Sequence, residues 1–141
     1  MKKILVLNGP NMNMLGIREP DIYGKTTYAE LEIRIKNWAD ELGCEVVLFQ
    51  SNHEGALVDQ IQAAYGKFDG IVINPASYTH TSIAIPDAIK AVGIPAVEVH
   101  ISDIEKREDY RKVSYTRDAC IATVMGKGID GYKEALSIIL I

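Results

Sequence analysis

Short apolar runs separated by amphipathic segments constrain this chain more than any other feature of its sequence. Ile4–Leu7 is apolar at every position, as a strand buried on both faces is. Further strands are expected at Val46–Phe49, Ile71–Ile73, Ala96–Ile101 and Ile121–Val124. Between them, apolar residues recur at helical spacing. Over residues 28–42 they are Tyr28, Leu31, Ile35, Trp38 and Leu42, with Thr27 and Glu30 as a capping box and Gly43 as a stop. Residues 55–65 carry Leu57, Ile61, Ala64 and Tyr65 before Gly66. Residues 82–92 carry Ile85, Ala88, Ile89 and Val92 before Gly93, with Pro86 in the first turn. Residues 130–140 turn Tyr132, Leu136 and Ile139 inward.

Strands alternating with helices imply parallel pairing. A barrel needs ~250 residues, and this chain has 141. The expected fold is therefore α/β: one flavodoxin-like doubly wound domain over residues 1–141, a five-stranded parallel sheet with helices on both faces.

Composition narrows the function classes. A net charge of -4 leaves no whole-molecule basic footprint, so nucleic acid is not an expected partner. Cys44 and Cys120 stand far apart without CxxC or metal spacing, and the three histidines form neither HxH nor HExxH, so no metal is expected. The apolar stretch after Lys2 and Lys3 is too short for a secretory leader, and no run approaches a membrane span. A cytoplasmic protein without membrane association is expected.

In doubly wound sheets, ligands bind beyond the carboxyl ends of the strands. The polar residues gather there: Asn8-Gly9-Pro10-Asn11, Gln50-Ser51-Asn52-His53, Asn74-Pro75, then Glu98, His100 and Ser102. Gly24-Lys25-Thr26 resembles the end of a phosphate loop, but Glu19 stands where its first glycine is required, and no GxGxxG follows the first strand. A nucleotide is therefore disfavoured.

The segment 16–24 is long for a βα connection and holds Arg18 and Tyr23, so it reads as an active-site lid. A tyrosine ordinarily has a pKa of about 10, and a neighbouring cation lowers it by ~1–3 units, which would let Arg18 make Tyr23 a general base. The same residues also suit a surface loop with a half-buried aromatic. Glu98 and His100, two apart on a strand, share a face, as an acid–base pair or a structural ion pair would. His80 suits either a substrate hydroxyl or a helix-capping neighbourhood, and His53 reads as structural. Arg111 suits an anionic or polyol ligand, or a solvated charge run.

Taken together the motifs resemble those of type II 3-dehydroquinate dehydratase. They are Asn8-Gly9-Pro10-Asn11-Met12-Asn13-Met14-Leu15-Gly16, Arg18-Glu19-Pro20, Tyr23-Gly24, Gln50-Ser51-Asn52-His53-Glu54-Gly55, Ile73-Asn74-Pro75-Ala76-Ser77-Tyr78-Thr79-His80-Thr81-Ser82, Val97-Glu98-Val99-His100-Ile101-Ser102 and Arg107-Glu108-Asp109-Tyr110-Arg111. Their order spans nearly the whole chain. The resemblance implies reversible dehydration of 3-dehydroquinate to 3-dehydroshikimate in the shikimate pathway, by anti elimination through an enolate and without a cofactor.

By position it assigns Tyr23 as base, Arg18 as its tuning cation, and Asn11 as holder of the water on the enolate oxygen. His100 is the acid, supported by Glu98 and Asn74. Ile101 and Ser102 bind the carboxylate, while Asn74, His80 and Arg111 bind the other polar groups. Asp87 reaches a neighbouring subunit of a homo-oligomer, a dodecamer built as a tetramer of trimers. The sequence departs from the usual pattern at Met12, Met14, Pro86, Asp103, Glu105 and Arg117-Asp118, none of which removes a catalytic group. Two other classes fit the scaffold: a flavin- or nucleotide-binding protein, disfavoured by the missing phosphate-loop glycines, and a catalytically silent subunit. A silent subunit need not keep Asn11, Arg18, Tyr23, His80, Glu98, His100 and Arg111 together.

Overall fold

β1 (Lys3–Asn8) leads through a 3-10 turn at Met12–Met14 to the short helix α1 (Pro20–Tyr23) and to α2 (Tyr28–Leu42). β2 (Glu45–Gln50), α3 (Glu54–Ala63) and β3 (Gly70–Asn74) follow, then a 3-10 turn at Ala76–His80 and α4 (Ala84–Val92). After β4 (Ala96–Val99), a run of 3-10 turns reaches β5 (Ala122–Val124), and α5 (Gly131–Ile139) closes the chain. The computed structural model describes residues 1–17 and 19–141. The five strands lie in the order β2-β1-β3-β4-β5, and every pairing is parallel. This is the expected flavodoxin-like α/β sheet.

Alternation along β1 shows why both faces are covered. Ile4 and Val6 join Leu31 and Ile35 of α2 and Tyr132 and Leu136 of α5 in one core. Leu5 and Leu7 join Leu57 and Ile61 of α3 and Ile85 and Ile89 of α4 in the other. The signals for α2 act as read: Thr27 Oγ1 accepts from the Glu30 N–H at 3.2 Å, and Gly43 takes a left-handed conformation (φ 75°) that L side chains resist.

Three boundaries differ from the expectation by two residues. β4 ends at Val99 rather than Ile101, because the chain turns after the His100 N–H bonds the Val124 carbonyl, and the next residues line the cleft described below. α4 begins at Ala84 rather than 82: Ile83 is its N-cap, and the Ser82 hydroxyl one residue earlier accepts from the Ile85 N–H of the first turn. Tyr65 falls beyond α3 and is 70% exposed, so it does not continue the inward face.

The chain passes from β1 to β2 on one side and returns to β3 on the other, so the loops after β1 and β3 meet at the reversal. The Gly9 N–H donates to the Asn74 carbonyl at 2.8 Å. A Cβ on Gly9 would stand 2.5 Å from the Pro75 carbonyl oxygen, so only glycine allows the two backbones this approach. Gly9→Ala is expected to cost about 1–3 kcal/mol of unfolding free energy in urea, as overpacking does, and to lower activity in parallel. Wild-type stability in that variant would show that the loops can part freely.

Candidate functional site

A cleft of about 220 Å³ opens at this reversal. Drug-sized ligands usually occupy ~300–1,000 Å³, so this cleft suits a smaller molecule. Pro10, Asn11 and Met12 from the β1 loop, Asn74, Ala76 and Ser77 from the β3 loop, and His100, Ile101 and Ser102 from beyond β4 contribute walls. Tyr23, His80, Arg107 and Arg111 complete them. Two guanidinium groups face the cleft, while no Asp or Glu is among the described lining residues. On a chain of net charge -4, that local excess of positive charge selects an anionic ligand.

The charge that balances His100 lies behind it. Glu98 has no exposed surface, and its Oε2 stands 2.5 Å from His100 Nε2. Thr79 Oγ1 (2.7 Å) and Ser114 Oγ (2.6 Å) reach the same oxygen, and Thr123 Oγ1 donates to Oε1 at 3.2 Å. Thr79 and Ser114 also touch each other at 2.6 Å, so the two hydroxyl protons can run in sequence to the carboxylate. Burial alone would push the Glu98 pKa up. The His100 hydrogen bond and charge outweigh it, and with the Ser114 and Thr79 hydroxyls they bring the carboxyl from 4.5 to about 2. A carboxylate only accepts, so His100 Nε2 carries a hydrogen and Nδ1 is the nitrogen left for other partners.

His80 lines the cleft from the end of its 3-10 turn. Its Nδ1 lies 2.7 Å from the Val113 carbonyl, which also only accepts, so that nitrogen carries the hydrogen. Burial lowers its pKa; the Val113 carbonyl opposes this, and the charges of His100, Arg111 and Arg107 add to it. The neutral ring therefore presents Nε2 as an acceptor for a hydroxyl. Arg111 lies beside it in the cleft wall, with Nε 3.0 Å from Glu108 Oε2 but poorly directed for a hydrogen bond, and with its guanidinium 5.3 Å from the Tyr110 ring centre.

Tyr23, at the end of α1, lines the cleft. Arg18, its expected tuning cation, lies outside the described residues. Arg107, to which the sequence motif assigns no role, donates from Nη1 to the Tyr23 hydroxyl at 2.6 Å and packs on its ring at 5.2 Å. The sequence signal for it is the Arg107–Arg111 pair at i,i+4.

Asn11 stands in the left-handed region (φ 69°), its N–H held by Asn52 Oδ1 at 3.0 Å, so the motif after β2 buttresses the loop after β1. Among the described residues, the Ile101 and Ser102 N–H groups meet no protein acceptor. Asn74 does not support His100 as expected: its described hydrogen bonds go to Tyr132, Met12 Sδ and the Ala76 N–H. Asp87 lies exposed on the first turn of α4 and is not among the lining residues. Glu105 and Arg117, two of the departures, form an exposed ion pair at 3.4 Å, a contact of small energetic weight.

No described group of three or more His, Cys, Asp or Glu side chains has the arrangement of a metal site. Among the described residues no helix is long and apolar enough to cross a membrane.

The profile of the family described as dehydroquinase class II matches residues 2–140. A protein of Endomicrobium trichonymphae named 3-dehydroquinate dehydratase is 57% identical over 136 residues, covering 96% of this chain and 95% of its own. One of Neosartorya fischeri named catabolic 3-dehydroquinase 1 is 53% identical over 135 residues, covering 96% and 90%. The crystal structure of a type II dehydroquinase from Butyrivibrio crossotus superposes with a TM-score of 0.97 at 47% identity, covering 99% of this chain and 98% of that one.

The depressed pKa of Glu98 makes a prediction about acid stability. Its stabilisation is present above the ordinary carboxyl pKa of 4.5 and is lost as pH falls through about 2. At ~1.4 kcal/mol per pKa unit the loss is on the order of 3 kcal/mol. Urea unfolding of wild type and Glu98→Gln should therefore converge as pH drops across that window. A gap that stays constant would contradict the ionised assignment.

Proposed function

The chain belongs to the class II dehydroquinase family and is a hydro-lyase, and we propose that residues 1–141 form one catalytic domain that dehydrates 3-dehydroquinate by anti elimination through an enolate. The observation that carries this reading is the pairing within one cleft of a tyrosine hydroxyl held by a guanidinium and an imidazole held by a carboxylate. A proton beside a ketone is weakly acidic and hydroxide leaves poorly, so the reaction needs one group of each kind.

Tyr23, as phenolate, takes the proton from C2, and the electron pair moves onto the ketone oxygen as an enolate. Arg107 stands where it offers the phenolate a counter-charge, and Arg18 is assigned the same service. Asn11 holds the water that donates to the enolate oxygen, a type of stabilisation worth a few kcal/mol. The enolate then collapses, the C1–C2 double bond forms, and the C1 hydroxyl leaves as water with the proton from His100 Nδ1. Glu98 holds the ring through Nε2 and balances its charge. The unpaired N–H groups of Ile101 and Ser102 take the substrate carboxylate, as paired backbone donors do. Asn74, Arg111 and the acceptor Nε2 of His80 take the remaining polar groups.

Asp87 is assigned to a neighbouring subunit's cleft within a dodecamer, a tetramer of trimers. Its exposure on α4 beside exposed Ile83, off its own cleft, supports that assignment. Sedimentation should therefore give a large oligomer, and a stable monomer at working concentration would refute it.

The reaction is tested by ultraviolet absorbance during incubation with 3-dehydroquinate and a chelator, since the conjugated enone product absorbs where the substrate does not. A rise is expected, and no rise from folded oligomer would refute the reading. Tyr23→Phe should keep the fold and lose on the order of 10²–10⁴ in kcat, the usual contribution of a positioned acid or base. Near wild-type turnover would remove Tyr23 as the base.

A further inference from the structure

A chain of polar side chains runs beneath the cleft floor, and Asn74 is its one member with a part in the proposed reaction. Tyr132 of α5 has no exposed surface. Its hydroxyl lies 2.5 Å from Asn8 Oδ1 and 3.0 Å from Asn74 Nδ2. Asn8 is also wholly buried, and its Nδ2 faces the Tyr28 hydroxyl at 3.4 Å. Proton bookkeeping leaves little freedom. An amide oxygen only accepts, so the single Tyr132 hydrogen points to Asn8, and the hydroxyl lone pair faces Asn74. Asn74 must then turn Nδ2 inward, which leaves Oδ1 to accept the Ala76 N–H at 3.0 Å.

That last bond matters because Ala76 is held in the left-handed region (φ 54°), where a residue other than glycine is strained. Ala76 begins the 3-10 turn that ends at His80, and Asn74, Ala76 and His80 all line the cleft. Without the hydroxyl, the inward end of the Asn74 amide would face only the soft Met12 sulfur at 3.5 Å, and the Ala76 N–H would be left to orient the group alone.

We propose that Tyr132 is a positioning residue: its hydroxyl sets the orientation of the Asn74 amide and, through it, the strained turn that presents His80 to the substrate. The inference rests on the reading of this cleft as a 3-dehydroquinate site.

The test is steady-state kinetics of the intact oligomer with 3-dehydroquinate. Tyr132→Phe should raise KM roughly tenfold, the scale of one hydrogen bond to the substrate, while kcat changes little. In an Asn74→Ala background the same substitution should add no further change, because the two act as one unit. Ile139→Val, a buried change on the same helix that touches no polar group, should lower the thermal midpoint and leave KM alone. Asn8→Ala removes the hydroxyl's acceptor from the other side and should raise KM in the same sense, which keeps the proposal testable if Tyr132→Phe does not fold. Unchanged KM in Tyr132→Phe, additive effects with Asn74→Ala, or a KM rise in Ile139→Val would each overturn the positioning role. A wild-type protein without turnover would overturn the dehydratase reading itself, and the inference with it.

Discussion

Burial of the parallel sheet on both faces is the constraint from which the rest of this molecule follows. Ile4, Leu5, Val6 and Leu7 are each at most 1% exposed, packed by α2 and α5 on one side and by α3 and α4 on the other. Such a sheet leaves no face for chemistry, because an unpaired polar group inside it would cost several kcal/mol. Reacting groups can stand only beyond the strand ends. The reversal of strand order between β1 and β3 then opens a place along that edge where loops splay apart.

Polar groups that do descend below the rim bind one another. Glu98 is satisfied by an imidazole and three hydroxyls. Asn8, Tyr132 and Asn74 satisfy each other in sequence. These two networks have different consequences. The first concentrates negative charge behind His100, where burial makes each hydrogen bond count for more than it would in water. The second carries no charge and fixes direction instead, holding the turn at Ala76 against its backbone preference. Together they let a cleft lined by two guanidiniums and two imidazoles keep its geometry before any ligand arrives.

Tyr23 and Arg107 show how two walls of the site from distant parts of the chain are tied together. Tyr23 belongs to the connection after β1, whereas Arg107 belongs to the turns after β4, far along the chain. Ser114, in the same run of turns, bonds the Glu98 carboxylate. One excursion of the chain between β4 and β5 thus touches both the proposed base and the buried partner of the proposed acid. A displacement of that excursion would disturb both ends of the proposed reaction together.

The local pattern in the sequence was enough to determine the five strands, the four longer helices and the motifs at the strand ends, but not the one-turn helix α1. Period and capping chemistry act over a few residues: the Ile4–Leu7 run, the Thr27–Glu30 cap and the Gly43 stop all express themselves locally. The chemical types at the rim, Tyr23, Glu98, His80, His100 and Arg111, were legible for the same reason. Partner choice was not, because it joins residues far apart in sequence whose meeting depends on strand order and loop path. Only the tertiary structure decided that Arg107 meets Tyr23 across the fold, that Ser114 and Thr123 serve Glu98, and that Asn74 bonds Tyr132 from the last helix rather than His100. Hydrogen bonds have a reach of about 3 Å, and no spacing along the chain encodes which distant groups folding will bring within it.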